Sequence, residues 1–173
     1  MDPIGIEFTE KYKNISEQLW HICPEIHKKV NDILRMYMKI GILVLLVSET
    51  AMVIVTAYNH ANGKVRVCSN TPPLNVQVKI LSSQVSLYEK IHMFIFGKEW
   101  IVKYDGTSGY LQVSVKREAC KFFVITTLLG HFEYTRMPFR FVNAGAHYQH
   151  IMEGHITEFR NFMSSVHRRY LSS

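Results

Sequence analysis

The chain has 173 residues, 47% of them hydrophobic and 20% charged, with a formal net charge of +6. That length suits one domain or two small lobes with enough apolar material for a core, which excludes a disordered chain. The positive balance favours polyanionic partners such as nucleic acid, as a bias in encounter rather than a fold argument.

Three cysteines, Cys23, Cys68 and Cys120, lie far apart. The odd count and the lack of C-x-x-C predict reduced thiols inside a cell, packed as small hydrophobes. The first residues, MDPIGIEFTEKYK, hold acids and no apolar core, so neither a secretory signal nor a transit peptide is expected. Residues 1–23 are poorly periodic and read as a loosely ordered arm.

Pro24 suits the first position of a helix. From there Ile26, Val30, Ile33, Leu34 and Tyr37 recur at helical spacing, and Gly41 ends the run. Residues 40–58 are almost apolar enough to span a bilayer, but Ser48-Glu49-Thr50 sits at their centre. A central acid costs about 2.5–3.5 kcal/mol in a membrane, so two buried strands around a polar turn are expected, and no membrane partner. Val53 to Tyr58 and Lys64 to Cys68 flank NHANG, whose Asn62-Gly63 signals a hairpin. TPPLN, Thr71 to Asn75, breaks the sheet.

Within residues 76–96, Val85, Tyr88, Ile91 and His92 keep helical spacing. The run WIVKY then stops at Asp105, a small-residue turn follows, and Leu111, Val113 and Val115 alternate as on a strand. KFFVITTLLGHFEYTRMPF predicts a hairpin turning near Gly130. Asn143 is a suitable helix cap. Beyond it Ile151, Met152, Ile156, Phe159, Met163 and Val166 form an apolar stripe. The order helix, strands, helix, hairpin, helix is α+β. His147, His150 and His155 cluster in sequence without a zinc-ligand spacing.

On its own, Asp105-Gly106 is either a hairpin turn or a carboxylate held at a strand end for a metal ion. The surrounding stretches bear on that choice. GKVRVCSNTPPLN, KYDGTSGYLQVSV, TTLLGHFEYTRMPF and NAGAHYQHIM stand in this order in the chain. They resemble reverse transcriptases, above all those of gypsy-type long-terminal-repeat retrotransposons. There the same places read K-x-R-x-C-x-D-x-R-x-L-N, D-x-x-S-G-Y-x-Q-I, T-P-x-G-x-Y-E-Y-x-R-M-P-F-G and N-A-P-x-x-F-Q. From Asp105 to Met152 the pattern runs without a gap, and the likeness covers roughly residues 24–160.

The resemblance implies part of a right-hand polymerase, with fingers at about 24–80 and 114–142 and palm at about 81–113 and 143–173. It implies RNA-directed DNA polymerisation as the ancestral chemistry, with Mg²⁺ as cofactor and a template-primer and dNTP as partners. Asp105 is then the catalytic carboxylate and metal ligand. Arg66, Ser108, Gly109, Tyr110 and Phe139 fall at nucleotide-binding positions, with Arg66 on phosphate and Tyr110 under the incoming sugar. Lys64, Arg136 and Arg140 are candidate nucleic-acid contacts. The compartment implied is cytoplasm or nucleus.

Several positions depart from the pattern. Asn70 replaces an aspartate, Pro72 an arginine, Arg140 the glycine after M-P-F, and Gly145 a proline. The family's other two catalytic acids lie in a Tyr-x-Asp-Asp hairpin. Tyr170-Leu171-Ser172-Ser173 has serines there, out of register, a coincidence of outline. With one aspartate, a two-metal site is expected to lose many powers of ten in rate. The thumb, connection and RNase H regions are expected to be absent as well. The alternative expectation is a basic domain that binds nucleic acid or protein without catalysis.

Overall fold

The structure, a computed structural model, describes residues 2–18, 22–59, 61, 63–82, 93, 95–100 and 106–156. Helix α1 covers Pro24–Lys39, with the proline at its first turn and Lys39 in its last. Val30 and Leu34 are fully buried, while Lys28, Lys29 and Arg35 are exposed, so the helical stripe is the packed face. Burying such a side chain contributes about 1.5–3 kcal/mol. Gly41 follows at φ +74, a left-handed turn that a residue without a Cβ adopts freely.

Strand β1 is Leu43–Leu45, β2 is Met52–Asn59 and β3 is Lys64–Ser69. The two apolar runs around Ser48-Glu49-Thr50 are thus both strands, but they are not neighbours. β1 lies at a sheet edge and leaves Val44 and Leu45 exposed, a difference from the expected pair of buried strands. β2 and β3 form the antiparallel hairpin, Asn59 opposite Lys64. Pro72–Asn75 then form the short helix α2. Strand β4, Val124–Thr127, and β5, Gly130–Tyr134, make the second hairpin, with Thr127 opposite Gly130.

The sheet order is β1-β5-β4-β2-β3, with β2 parallel to β4 and the other pairs antiparallel. α1 packs against β3 and β1. Phe123, Ile125, Phe132, Met137, Met52 and Leu74 fill the core, each almost wholly buried. This is a mixed α+β fold. Among the described residues no helix is long and apolar enough to cross a membrane.

Other expectations change. Leu111, Val113 and Val115 are all buried, yet Gly109–Gln112 is a helical turn, α3, not a strand. Ser108 at φ 51 turns the chain, and Leu111 N–H then bonds the Ser108 carbonyl at 2.9 Å. A second turn, α4, covers Arg117–Cys120. The C-terminal helix α5 is Ala144–Ile156. Asn143 precedes it, but its side chain reaches elsewhere: Nδ2 donates to the Lys79 carbonyl at 2.8 Å and Oδ1 accepts from Leu81 N–H at 3.0 Å. Cys120 is buried, Cys68 half-buried and Cys23 exposed.

Where a loose arm is expected, residues 2–18 run as a strap along the sheet. Ile4 bridges to Val115, Phe8 to Val78 and Ser16 to Ala51. Ile4 and Ile15 are buried, and the Phe8, Tyr12 and Phe122 rings meet at 4.7 to 5.1 Å. These contacts anchor a segment too irregular to betray itself by periodicity. The helical spacing at Val85, Tyr88, Ile91 and His92, the run 101–105, Asn62, and Phe159, Met163 and Val166 lie outside the described residues.

Candidate nucleotide-facing site

Asp105 itself lies outside the described residues; the turn that follows it does not. Ser108 holds a left-handed conformation, and Gly109 opens α3. The ring of Tyr148, from α5, lies directly over this turn. A Cβ added at Gly109 would meet the Tyr148 hydroxyl oxygen at 2.7 Å and ring carbons at 2.8 and 2.9 Å. One added at Gly106 would meet the same hydroxyl at 2.8 Å. Gly109 therefore permits a close approach of the ring that a side chain would disturb, and at Gly106 the hydroxyl end of Tyr148 would have to shift.

Tyr110 and Phe139 are brought together as well. Their ring centroids are 5.9 Å apart, and Tyr110 meets Tyr148 edge-on at 5.6 Å. Both Tyr110 and Phe139 are half-buried. The result is a three-ring wall beside the turn, at separations where aromatic pairs attract. Sequence reasoning overlooked Tyr148. The signal was its place at the aromatic of N-A-P-x-x-F-Q, here with a hydroxyl added.

The loop bearing Phe139 is fixed by polar side chains. Arg140 stands at φ 70, where only a glycine is at ease. Its carbonyl accepts from Thr71 Oγ1 at 2.6 Å and from Asn75 Nδ2 at 2.9 Å, and Asn75 Oδ1 accepts from Val142 N–H at 3.0 Å. So the motif residue Asn75 is a clamp that draws α2 and the Phe139 loop together, a role its sequence position did not reveal. The reverse-transcriptase pattern carries a glycine at this position, and this chain makes its left-handed bend with arginine.

The basic candidates divide into two groups. On β3, Lys64, Arg66 and Cys68 share one face by alternation, with Lys64 and Arg66 exposed. Burial pushes the Cys68 thiol up, and the charges of Arg140 and Arg66 act on it in the opposite sense. Arg136 is differently engaged: Nη1 donates to Ser114 Oγ at 2.7 Å and to the Gln112 carbonyl at 3.2 Å. It ties the end of the second hairpin to the residues after Tyr110. Among the described residues no three His, Cys, Asp or Glu side chains gather in a way that could hold a metal ion.

No family model and no curated protein sequence matches the chain. Solved structures do. A prototype foamy virus protease-reverse transcriptase matches with a TM-score of 0.81 at 17% identity, over 91% of this chain and 21% of that one. The fold is reverse-transcriptase-like. The foamy viral enzyme in complex with an RNA/DNA hybrid matches at 0.77 and 16% identity, over 96% of this chain and 22% of that one. The same viral protein in complex with dsDNA gives 0.79 and 16%, over 96% and 34%. The reverse-transcriptase-like chain therefore spans about a fifth to a third of the proteins it resembles.

Proposed function

We propose that the chain is the fingers and part of the palm of a reverse transcriptase of the gypsy type, descended from an RNA-directed DNA polymerase. On this reading the fingers are about 24–80 and 114–142 and the palm about 81–113 and 143–173. What carries the reading is agreement between two kinds of observation. The motif order from Lys64 to Gln149 points to reverse transcriptases, and the backbone independently matches one over more than nine-tenths of its length.

Arg66 and Arg140 would meet phosphate, a task suited to planar guanidinium forks. Tyr110, backed by Phe139 and Tyr148, would lie against a nucleotide sugar, and the Gly106–Gly109 turn would face its phosphates. Nucleotidyl transfer needs Mg²⁺ ions held by several carboxylates, and these ions would stabilise the attacking and leaving oxygens. In these 173 residues the family pattern keeps Asp105 alone, and among the described residues no three His, Cys, Asp or Glu side chains gather to hold a metal ion. That donor set does not fit a two-metal centre. The activity proposed for these residues by themselves is binding of a template-primer duplex, without copying.

The alternative, a descendant that binds nucleic acid or protein and never polymerises, draws support from the exposed basic face of β3. Titration of an RNA/DNA hybrid tests the shared part of both readings. Three phosphate contacts, from Lys64, Arg66 and Arg140, predict roughly a fortyfold loss of affinity between about 50 and 200 mM salt. Arg66→Ala should weaken binding to all sequences alike and lower the salt slope by about one. Salt-insensitive binding, or an indifferent Arg66→Ala, contradicts it.

A further inference from the structure

Polar contacts fasten the N-terminal strap at several points, Gln77 holding Thr9 and Lys13 among them, and one of these points lies where the chain departs from the reverse-transcriptase pattern. β3 ends at Ser69, and Asn70 N–H still bonds the Val53 carbonyl at 2.8 Å. The chain then turns into α2 through Thr71 and Pro72. No further β3 residue follows to accept a bond from Val53 N–H, and Val53 is fully buried. A buried backbone donor needs a partner. Glu17, from the strap, supplies it: Oε2 accepts from Val53 N–H at 3.1 Å. Its other oxygen, Oε1, accepts from Asn70 Nδ2 at 2.7 Å. The backbone holds the carboxylate in register, with Ala51 N–H on the Ile15 carbonyl at 2.7 Å and Glu17 N–H on the Ala51 carbonyl at 3.3 Å.

We infer that Glu17 and Asn70 form a latch that fixes the end of the strap, residues 15–17, to the sheet, and that the amide at position 70 is what permits it. The aspartate of the resembling sequences would set a second carboxylate against Glu17 at hydrogen-bond distance. Neither could donate, and like charges at that separation repel. An aspartate at 70 therefore works against a docked Glu17. Asn70 is therefore paired chemically with the strap. The departure at position 70 is a fitted change within this chain, and it withdraws that side chain from any outside ligand.

The test exchanges donor and acceptor. Asn70→Asp in the full chain should free that end of the strap. Amide hydrogen exchange at Glu17, Ala51 and Val53 should accelerate roughly tenfold to a hundredfold, as for loss of a charge-assisted bond. The double variant Glu17→Gln with Asn70→Asp restores a complementary pair. The side-chain amide introduced at position 17 donates to the carboxylate introduced at position 70, while its carbonyl accepts from Val53 N–H. Protection should return to within about threefold of the original. Exchange unchanged in Asn70→Asp, or a double variant as open as the single one, overturns the latch. Should Asn70→Asp fail to fold, Glu17→Ala carries the test. Faster exchange at Val53 with Ile125 unaffected supports the latch, and unchanged exchange at Val53 overturns it.

Discussion

Arg140 holds a left-handed backbone that costs a side-chain-bearing residue about 1–2 kcal/mol, and two side-chain donors grip its carbonyl to keep it there. Arg140→Gly should relieve that strain. Glycine also loosens the unfolded chain, so the net gain expected is about 0.5–1 kcal/mol, read as a higher urea midpoint. A lower midpoint would show that the guanidinium contributes more than the bend costs. At Gly109 the sign reverses. A methyl group there meets the Tyr148 ring, and Gly109→Ala should lose about 1–3 kcal/mol through overpacking. In a Tyr148→Ala background the same change should cost far less, and equal losses in both backgrounds would remove Tyr148 from the turn. These two positions show how a motif glycine, or its replacement, becomes readable only once a dihedral angle and a neighbour are known.

Elements with a strong local signal were legible. Pro24 and the spacing of Val30 and Leu34 announce α1, and the turn at Gly130 announces the β4–β5 hairpin. The residues of α3 misled because Leu111, Val113 and Val115 bury at two-residue intervals even though a helical turn interrupts them. Burial parity is a tertiary outcome, and it need not come from a strand. The strap escaped notice because bridges to Val115, Val78 and Ala51, far along the chain, fix it. On α5, His147 stacks over Phe141 with centroids 6.4 Å apart, and burial, with the His150 charge second, holds its imidazole below the usual histidine range. The unfolded chain takes a proton near pH 6.5 that the folded chain resists. The contribution of a neutral His147 is therefore present above about pH 6.5 and is lost as pH falls through that value. The melting temperature should drop between about pH 7 and 5, and His147→Gln should flatten that part of the profile. An unaltered slope in the variant would assign the acid sensitivity elsewhere.

At the scale of the molecule, the described residues set a five-stranded sheet, helix α1 and the strap around a shared core, and that backbone matches reverse-transcriptase chains about three to four times longer. The resemblance was visible in the order of four short stretches, none sufficient alone. The aromatic wall and the Asn75 clamp were not visible, because residues from distant parts of the chain build them. The central claim, as proposed above, is that these 173 residues by themselves hold a nucleic-acid duplex without copying it. Primer extension on an RNA template with Mg²⁺, with duplex binding followed in the same mixture, tests it most directly. The account predicts a bound duplex and an unextended primer. Extension that Asp105→Ala abolishes would contradict it.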